Sequence, residues 1–199
     1  DPTPVMALNV PWQNNETFWN LEKQKNYTLF CLELSKRFGK SHLENKFVSN
    51  FKKYTQKLAQ AWQNINPDSE NSRQTLALNT LIRLLFLTFL ASKGILDKRE
   101  YFLQEEAQKC DFQNQNIYCH LIQPLFFETL NRPHHRRTQR VKKFGQIPFL
   151  NGGLFTPGNI EIQSPDLTVP NHVLKEIIDQ LFGQYPFNTE IQHNTRQLN

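Results

Sequence analysis

The sequence predicts a mainly α-helical protein, an irregular helical bundle with one short β-hairpin or strand pair near residues 147–163. Apolar residues recur every three or four positions over residues 43–65, which is the spacing of an amphipathic helix. A nearly continuous apolar run at 76–91 predicts a buried central helix. NIEIQ at 159–163 alternates like a short strand, and IPFL at 147–150 is either its antiparallel partner or an apolar segment pressed on the helices.

The chain divides by composition into four parts. Residues 1–15 contain three prolines and no period, so we expect a linker or loop. Residues 16–74 are predicted to form a pair of helices. Residues 75–191 are predicted to form a larger helical domain that contains a basic loop and the turn in IPFLNGGLF. Residues 192–199 form a tail without a periodic pattern.

The first two helices carry recognisable end signals. A helix from Glu16 to Phe38 is followed by Gly39, which favours a C-cap. Ser41 and Glu44 have the spacing of a capping box and predict the start of the second helix.

Glycine and proline mark the later elements. The central helix is predicted to run from about Thr75 to Lys93 and to be closed by Gly94. A short charged helix follows it. Pro124 should break or restart the next helix because proline lacks an N–H group. Pro170 should open the last helix.

Composition limits the classes of function. The 199 residues suffice for one good core or two small ones. Lys plus Arg exceed Asp plus Glu by 23 − 18 = 5, which permits an acidic partner. The three cysteines and the lack of a signal-peptide pattern predict a cytoplasmic protein with free thiols. The apolar run is too short for a comfortable membrane span, so no membrane partner is expected.

Two polar residues, Asn79 and Arg83, lie four positions apart on the apolar central helix. An arginine in such a place is costly unless it is paired. We therefore expect a carboxylate partner for Arg83, with Asp97, Glu105 and Glu106 as candidates. A structural salt bridge is the favoured interpretation, and a catalytic or phosphate-binding arginine is the alternative.

The sharpest charge feature is the segment from residue 132 to residue 143. It contains two histidines, no acid and six fixed positive charges: Arg132, Arg136, Arg137, Arg140, Lys142 and Lys143. Such a segment repels itself, so we expect it to be disordered or held by an anion. Contact with nucleic-acid phosphates and a solvated mobile loop both remain open. Metal binding by the adjacent His134 and His135 is disfavoured because their side chains would diverge.

A second group of cations lies on the predicted second helix. Lys46, Lys53 and Lys57 share one side of it, with Lys52 near the edge. This stripe is a candidate contact for phosphates. A solvated helix face is the favoured interpretation.

No catalytic motif is recognisable. The sequence contains no phosphate-binding GxxxxGK[ST] loop, GxGxxG, GxSxG or HExxH. It also lacks the Asp and Glu-x-Lys set of a metal-dependent nuclease and the Asn-Pro-Pro-aromatic motif of amino methyltransferases. Cys110, Cys119 and His120 have no CxxC pair and give only a weak zinc signal. We predict no catalytic residue, metal or cofactor in this chain.

A succession of segments carries a resemblance to a known family. The segments are LNTLIRLLFLTFLASKGIL (78–96), YFL (101–103), PLFFETLN (124–131), FGQIPFLNGGLF (144–155) and YPFNTEI (185–191), with the basic spacer before the fourth. In this order they resemble the region ahead of the adenine-N6 methyltransferase domain in type IIG fused restriction-modification enzymes. They are similar also to the corresponding region of methyltransferases from BREX-like phage-defence systems. The resemblance covers about residues 75–191.

The resemblance implies a helical connector or scaffold, a fragment of a bacterial DNA methyltransferase. In that family a methyltransferase that uses S-adenosylmethionine follows the connector, a nuclease that implies Mg²⁺ often precedes it, and a target-recognition domain closes the chain. The implied partners are the methyltransferase and recognition domains of the same parent chain and the backbone of double-stranded DNA. Phosphate contacts position a protein without reading bases, so no sequence specificity is expected. The alternatives are a nuclease whose active site is not visible in the sequence and a protein-interaction module without nucleic acid.

The tripeptide Asn151-Gly152-Gly153 supplies positions that tolerate a positive φ angle. We predict a structural turn that lets IPFL reverse and packs Leu154 and Phe155 against the bundle. The turn would lie near the point where the chain leaves for the next domain. A backbone-amide nest for an anion is the alternative.

Overall fold

The computed structural model describes residues 41–150 and 153–184, with side chains from residue 46 onward. Several predictions concern other parts of the chain. The linker at 1–15, the helix from Glu16 to Phe38, the turn residues Asn151 and Gly152, and the tail all lie outside the described residues, as do the side chains of the capping box and the YPFNTEI segment.

The described residues form a mainly helical fold, as predicted. Three long helices come first: α1 (Ser41–Ala61), α2 (Glu70–Ser92) and α3 (Phe102–Phe112). Two consecutive π-helical segments, Tyr118–Ile122 and Pro124–Leu130, together make α4. The remaining elements are a 3₁₀ helix at His134–Arg136, α5 (Gln139–Lys142), a 3₁₀ helix at Gly153–Phe155, α6 (Asn159–Gln163) and α7 (Asn171–Glu176), which continues as a π-helical segment, Ile177–Phe182.

Helix α2 is the centre of the bundle. The Ser69 hydroxyl accepts a hydrogen bond from the backbone N–H of Ser72 at 3.1 Å, so the helix begins five residues earlier than predicted. The helix is long and apolar enough to cross a membrane by length and composition alone, but 67% of its most apolar window is buried inside the protein. It ends before Gly94, which has the positive φ angle of 67° expected of a closing glycine.

Helix α1 buries the apolar face that its periodicity predicts. Phe47, Phe51, Leu58 and Trp62, just past its end, are all nearly inaccessible to solvent. This face packs on α2 and on α7 with its π-helical continuation. The edge of the Trp62 ring meets the Tyr118 ring of α4 at a centroid distance of 4.9 Å, which joins the first and fourth helices.

The predicted β-hairpin is wrong. Among the described residues, the β structure is a single bridge between Gln63 and Thr168, and NIEIQ is helix α6. The Glu161 carboxylate reaches back to the backbone N–H of Gly158 at 2.7 Å, which stabilises a helix start. The two isoleucines of NIEIQ also differ in burial, since Ile160 is half-buried and Ile162 is 66% exposed. Five alternating residues were too few to identify a strand.

The two proline predictions had different outcomes. Pro124 opens the second π-helical segment, but the preceding residue Gln123 keeps helical angles (φ −60°, ψ −50°), so α4 continues through the proline without the predicted break. Pro170 lies immediately before the first residue of α7, where a missing N–H costs nothing.

Candidate phosphate-binding surface

The basic segment, residues 132–143, has a defined conformation that the protein itself supports. It contains the 3₁₀ helix and α5, and α5 packs on the second half of α4. Val141 within the segment and Phe144 just after it are buried. Phe144 meets the Phe102 ring edge-on at a centroid distance of 6.5 Å. Protein contacts therefore hold the segment, an arrangement that the sequence reasoning did not consider.

Arg137 lies inside the protein. It is 8% exposed, and its guanidinium donates hydrogen bonds to the carbonyl oxygens of Arg132 (3.0 Å), Ile147 (2.7 Å) and Pro148 (3.0 Å). One guanidinium nitrogen also lies 3.3 Å from Nδ1 of His134. None of these partners is a carboxylate, and burial lowers the pKa of Arg137 from its usual range.

Arg140 is the second member of the segment with contacts to the protein. It donates to the Cys119 carbonyl oxygen at 2.7 Å and lies 3.6 Å from the Glu128 carboxylate. Its side chain is still half-exposed. Arg140 therefore ties α5 to α4 and keeps part of its guanidinium in solvent.

The other four cations of the segment are exposed, and we call them the outward cations: Arg132, Arg136, Lys142 and Lys143. The Lys143 ammonium lies 5.2 Å from the centroid of the Phe144 ring. Across residues 46–150 and 153–184, no carboxylate forms an ion pair with any of the four. The segment thus presents unpaired positive charge on a fixed backbone.

The end of the basic segment is attached to the loop that follows α2. Gly145 has a φ angle of 82°, and a Cβ atom there would collide with the Asp97 carboxylate. That carboxylate accepts the backbone N–H of Gln146 at 2.9 Å, while the Asp97 N–H donates to the Gln146 carbonyl oxygen at 3.0 Å. Glycine is required here both by the φ angle and by the close approach.

The lysine stripe lies on α1, whereas the basic segment packs on α4. Lys46 and Lys53 are exposed, and the Lys53 ammonium lies 5.4 Å from the Tyr54 ring centroid. Lys57 forms an ion pair with Glu176 and thereby links α1 to α7. A hydrogen bond from Lys57 lowers the pKa of Glu176. Lys57 therefore has an internal role in joining two helices.

Arg83 has a carboxylate partner, but none of the three expected ones. Its guanidinium binds Glu161 with Nη1–Oε1 at 2.5 Å, and both side chains are 4% exposed. It also donates to the carbonyl oxygens of Leu154 (2.6 Å) and Thr156 (3.0 Å), and it lies over the rings of Phe126 and Phe127. The favoured structural salt bridge is thus present, with Glu161 of α6 as its partner.

The three expected acids surround a different arginine. Arg99 lies within 3.2 Å of Asp97, Glu105 and Glu106, and Lys109 lies 2.6 Å from Glu106. Each carboxylate thus contacts at least one cation, although three acids share two cations. No group of three metal-ligating side chains occurs in the part of the chain that the structure describes. The converging carboxylates therefore form an ion-pair network.

The two described cysteines are free thiols. Cys110 is buried and Cys119 is half-buried. Burial raises the pKa of both thiols, which keeps them protonated and unreactive.

The chain on each side of the tripeptide Asn151-Gly152-Gly153 is bound by a buried arginine. Arg137 donates hydrogen bonds to the carbonyl oxygens of residues 147 and 148, and Arg83 donates to those of residues 154 and 156. Gly153 begins a 3₁₀ helix, and Phe155 within it is buried between Phe86 (5.9 Å) and Phe126 (5.6 Å). Leu154 is half-buried against the core. The roles of Asn151 and Gly152 remain predictions.

Comparison with known proteins assigns the chain to a family. A family model described as "Domain of unknown function (DUF7814)" matches residues 20–179. The chain belongs to the DUF7814 family. It is also 29% identical over 133 residues to a protein of Methanocaldococcus jannaschii that is named as a candidate type II restriction enzyme and methyltransferase. That match covers 65% of this chain but only 11% of the relative. No solved structure matches.

The DUF7814 match contains the whole basic segment and the two buried arginines, Arg83 and Arg137, with their partners, since all of these residues lie between positions 20 and 179. The name of this relative supports a relationship between this chain and restriction-modification proteins. The name does not give the position of this region within such an enzyme.

Proposed function

We propose that this chain is the helical connector of a restriction-modification or phage-defence DNA methyltransferase of the type IIG kind, acting in the bacterial cytoplasm. Its similarity to a protein named as a candidate restriction enzyme and methyltransferase supports this reading. Catalysis then belongs to other domains of the parent chain, which would use S-adenosylmethionine and, for cleavage, Mg²⁺. The connector holds those domains relative to each other.

We further propose that the connector binds the backbone of double-stranded DNA through the outward cations. The observation that carries this proposal is the exposure of four cations that have no acidic partner among the described side chains, on a segment that the protein holds in place. Lysine and arginine release condensed counterions when they neutralise phosphates, so such a surface binds duplexes regardless of sequence. Lys46 and Lys53 are secondary candidates because they are exposed on another helix.

The test is duplex-DNA binding by fluorescence anisotropy over a range of salt concentrations. The variant Arg136→Gln/Lys142→Gln/Arg132→Gln removes three outward cations, and none of these side chains donates a hydrogen bond to another described residue. Because each phosphate contact contributes about 0.9 to the salt slope, the slope should fall by about 2 to 3. Affinity at low salt should fall by at least about tenfold.

The matched control removes the same charge elsewhere. Lys93, Lys98 and Lys109 are exposed cations in the loop after α2 and on α3. The variant Lys93→Gln/Lys98→Gln/Lys109→Gln should bind DNA nearly as the parent chain does. If both variants lose affinity equally, net charge alone explains binding and the surface assignment is wrong. If the parent chain shows no salt-sensitive binding, a protein-docking role becomes the better account.

A further inference from the structure

Arg136 and Arg137 are adjacent and chemically identical, but the structure places them in opposite environments. Arg136 is an outward cation. Arg137 is buried, and its guanidinium donates hydrogen bonds to three backbone carbonyls at the two ends of the stretch from residue 132 to residue 148, at positions 132, 147 and 148. A phosphate could reach Arg136 but could not reach Arg137 without breaking those bonds.

We infer that Arg137 is a positioning residue for DNA binding, one that fixes the outward cations in place without touching phosphate. This inference rests on the proposed DNA-backbone contact. The carbonyl of Arg132 is itself part of an outward cation's backbone, so the Arg137 guanidinium directly sets where that side chain starts. It also fixes the basic segment to IPFL, which follows the segment in the chain.

Lysine cannot replace arginine in this role. The guanidinium is a planar fork with five donors, and here it serves three carbonyl groups in different directions. An ammonium on a flexible stem carries the same charge but cannot hold that set at once. A lysine at position 137 would therefore keep the charge of the segment and lose its geometry.

A fixed segment binds more tightly than a mobile one with the same charges, because binding does not have to order it. The number of phosphates neutralised, and therefore the salt slope, depends only on the cations that make contact. Loss of positioning should thus weaken binding at every salt concentration and leave the slope unchanged. Loss of a contacting cation should lower the slope.

The first experiment compares three single variants of the 199-residue chain in the anisotropy assay. Arg136→Lys should keep the salt slope of the parent chain and lower the affinity by no more than about twofold, because lysine also neutralises a phosphate. Arg136→Gln should lower the salt slope by about 0.9. Arg137→Lys should weaken DNA binding at least about tenfold and leave the salt slope unchanged. It makes the same chemical change as Arg136→Lys at the neighbouring position.

The second experiment needs no DNA. Trypsin cleaves after lysine and arginine unless proline follows, so Arg136, Arg137, Arg140, Lys142 and Lys143 are potential sites, and mass spectrometry identifies cuts among them. The parent chain and Arg136→Lys should resist cleavage in this segment. Arg137→Lys should be cut there at least several times faster. Gly145→Ala, which changes no charge and loosens the other end, should behave like Arg137→Lys in both assays.

The outcomes separate this inference from the proposed function. If the parent chain does not bind DNA, the proposed function fails, and the positioning of the segment is then judged by trypsin alone. If DNA binds and Arg137→Lys or Gly145→Ala binds like the parent, the inference is wrong. A lower salt slope for Arg137→Lys would also overturn it. Circular dichroism of each variant establishes that the bundle is still folded when these comparisons are made.

Discussion

The two buried arginines that bind the chain on either side of Asn151-Gly152-Gly153 are stabilised in different ways. Arg83 combines two backbone carbonyls with a carboxylate, Glu161, so its cluster carries no net charge. Within the described part of the chain, Arg137 has three carbonyl partners and no carboxylate, so its cluster is positive. The first lies among the aromatic rings of the core, and the second supports a segment at the surface.

This difference matches what each position requires. A cation deep in an apolar bundle is too costly without a counter-charge, which is why α2 needs an acid from α6. Arg137 lies beneath a surface segment, where carbonyl dipoles suffice, and a carboxylate would cancel the positive field of the outward cations. Arginine therefore stabilises the core at position 83 and supports a charged surface segment at position 137.

The largest expected effect comes from breaking the Arg83 cluster. Glu161→Gln leaves a buried guanidinium without its counter-charge, and removing one partner of a buried pair costs about 3–5 kcal/mol. Urea denaturation should show this loss in the free energy of unfolding. Asp68→Asn is the control, because it breaks an exposed pair with Arg73 and should cost only a small fraction as much. Equal losses for the two variants would show that the buried pair contributes no more than the surface one.

A smaller effect is expected from the Arg137 cluster. Arg137→Met leaves three carbonyl groups without their donor, at a cost of about 1–3 kcal/mol, and it also removes a buried charge. The free energy of unfolding should therefore fall by less than for Glu161→Gln. Arg136→Met, on the exposed neighbour, should stay within about 0.5 kcal/mol of the parent chain. A loss as large as that of Glu161→Gln would contradict the distinction between the two clusters.

Sequence reasoning recovered the parts of the fold that depend on local periodicity. The apolar stripe of α1 and the buried run of α2 follow from spacing and composition. The need of Arg83 for a carboxylate partner also follows from the cost of burying an unpaired charge. The identity of that partner could not be predicted, because Glu161 lies 78 residues away in a five-residue segment whose alternation suggested a strand. If NIEIQ were a strand, its acid would lie on the face opposite the two isoleucines, toward solvent.

The basic segment of the candidate site was predicted only as a list of six cations, beside the three lysines of α1. Their sequence gives no sign that one of them is buried, because backbone carbonyls, the acceptors for Arg137, occur at every position. A usable signal was nevertheless present in the apolar residues Val141 and Phe144, which suggest that the segment is anchored. When only the charges of the basic segment are considered, the two interpretations are a disordered segment and a segment held by an anion.

The smallest expected effect is a pH dependence that appears beside Arg137 and not beside Arg83. Desolvation and the Arg137 charge lower the pKa of His134 below its ordinary value near 6.5. A histidine with a depressed pKa in the folded state stabilises that state above its ordinary pKa. That contribution is lost as the pH falls through about 6.5 toward the lowered value, because the opened segment binds the proton more readily.

Hydrogen exchange can resolve this effect within one sample. The amide of Leu150 donates to the Leu130 carbonyl and lies two residues after Pro148, whose carbonyl Arg137 binds. After correction for intrinsic exchange, this amide should lose protection between pH 7.5 and pH 5.5. The amide of Ile162, in α6 beside Glu161, should keep its protection. His134→Gln should abolish the difference. If the two amides respond alike, or if the variant keeps the response, the titrating group is not His134, and the two clusters differ in charge alone.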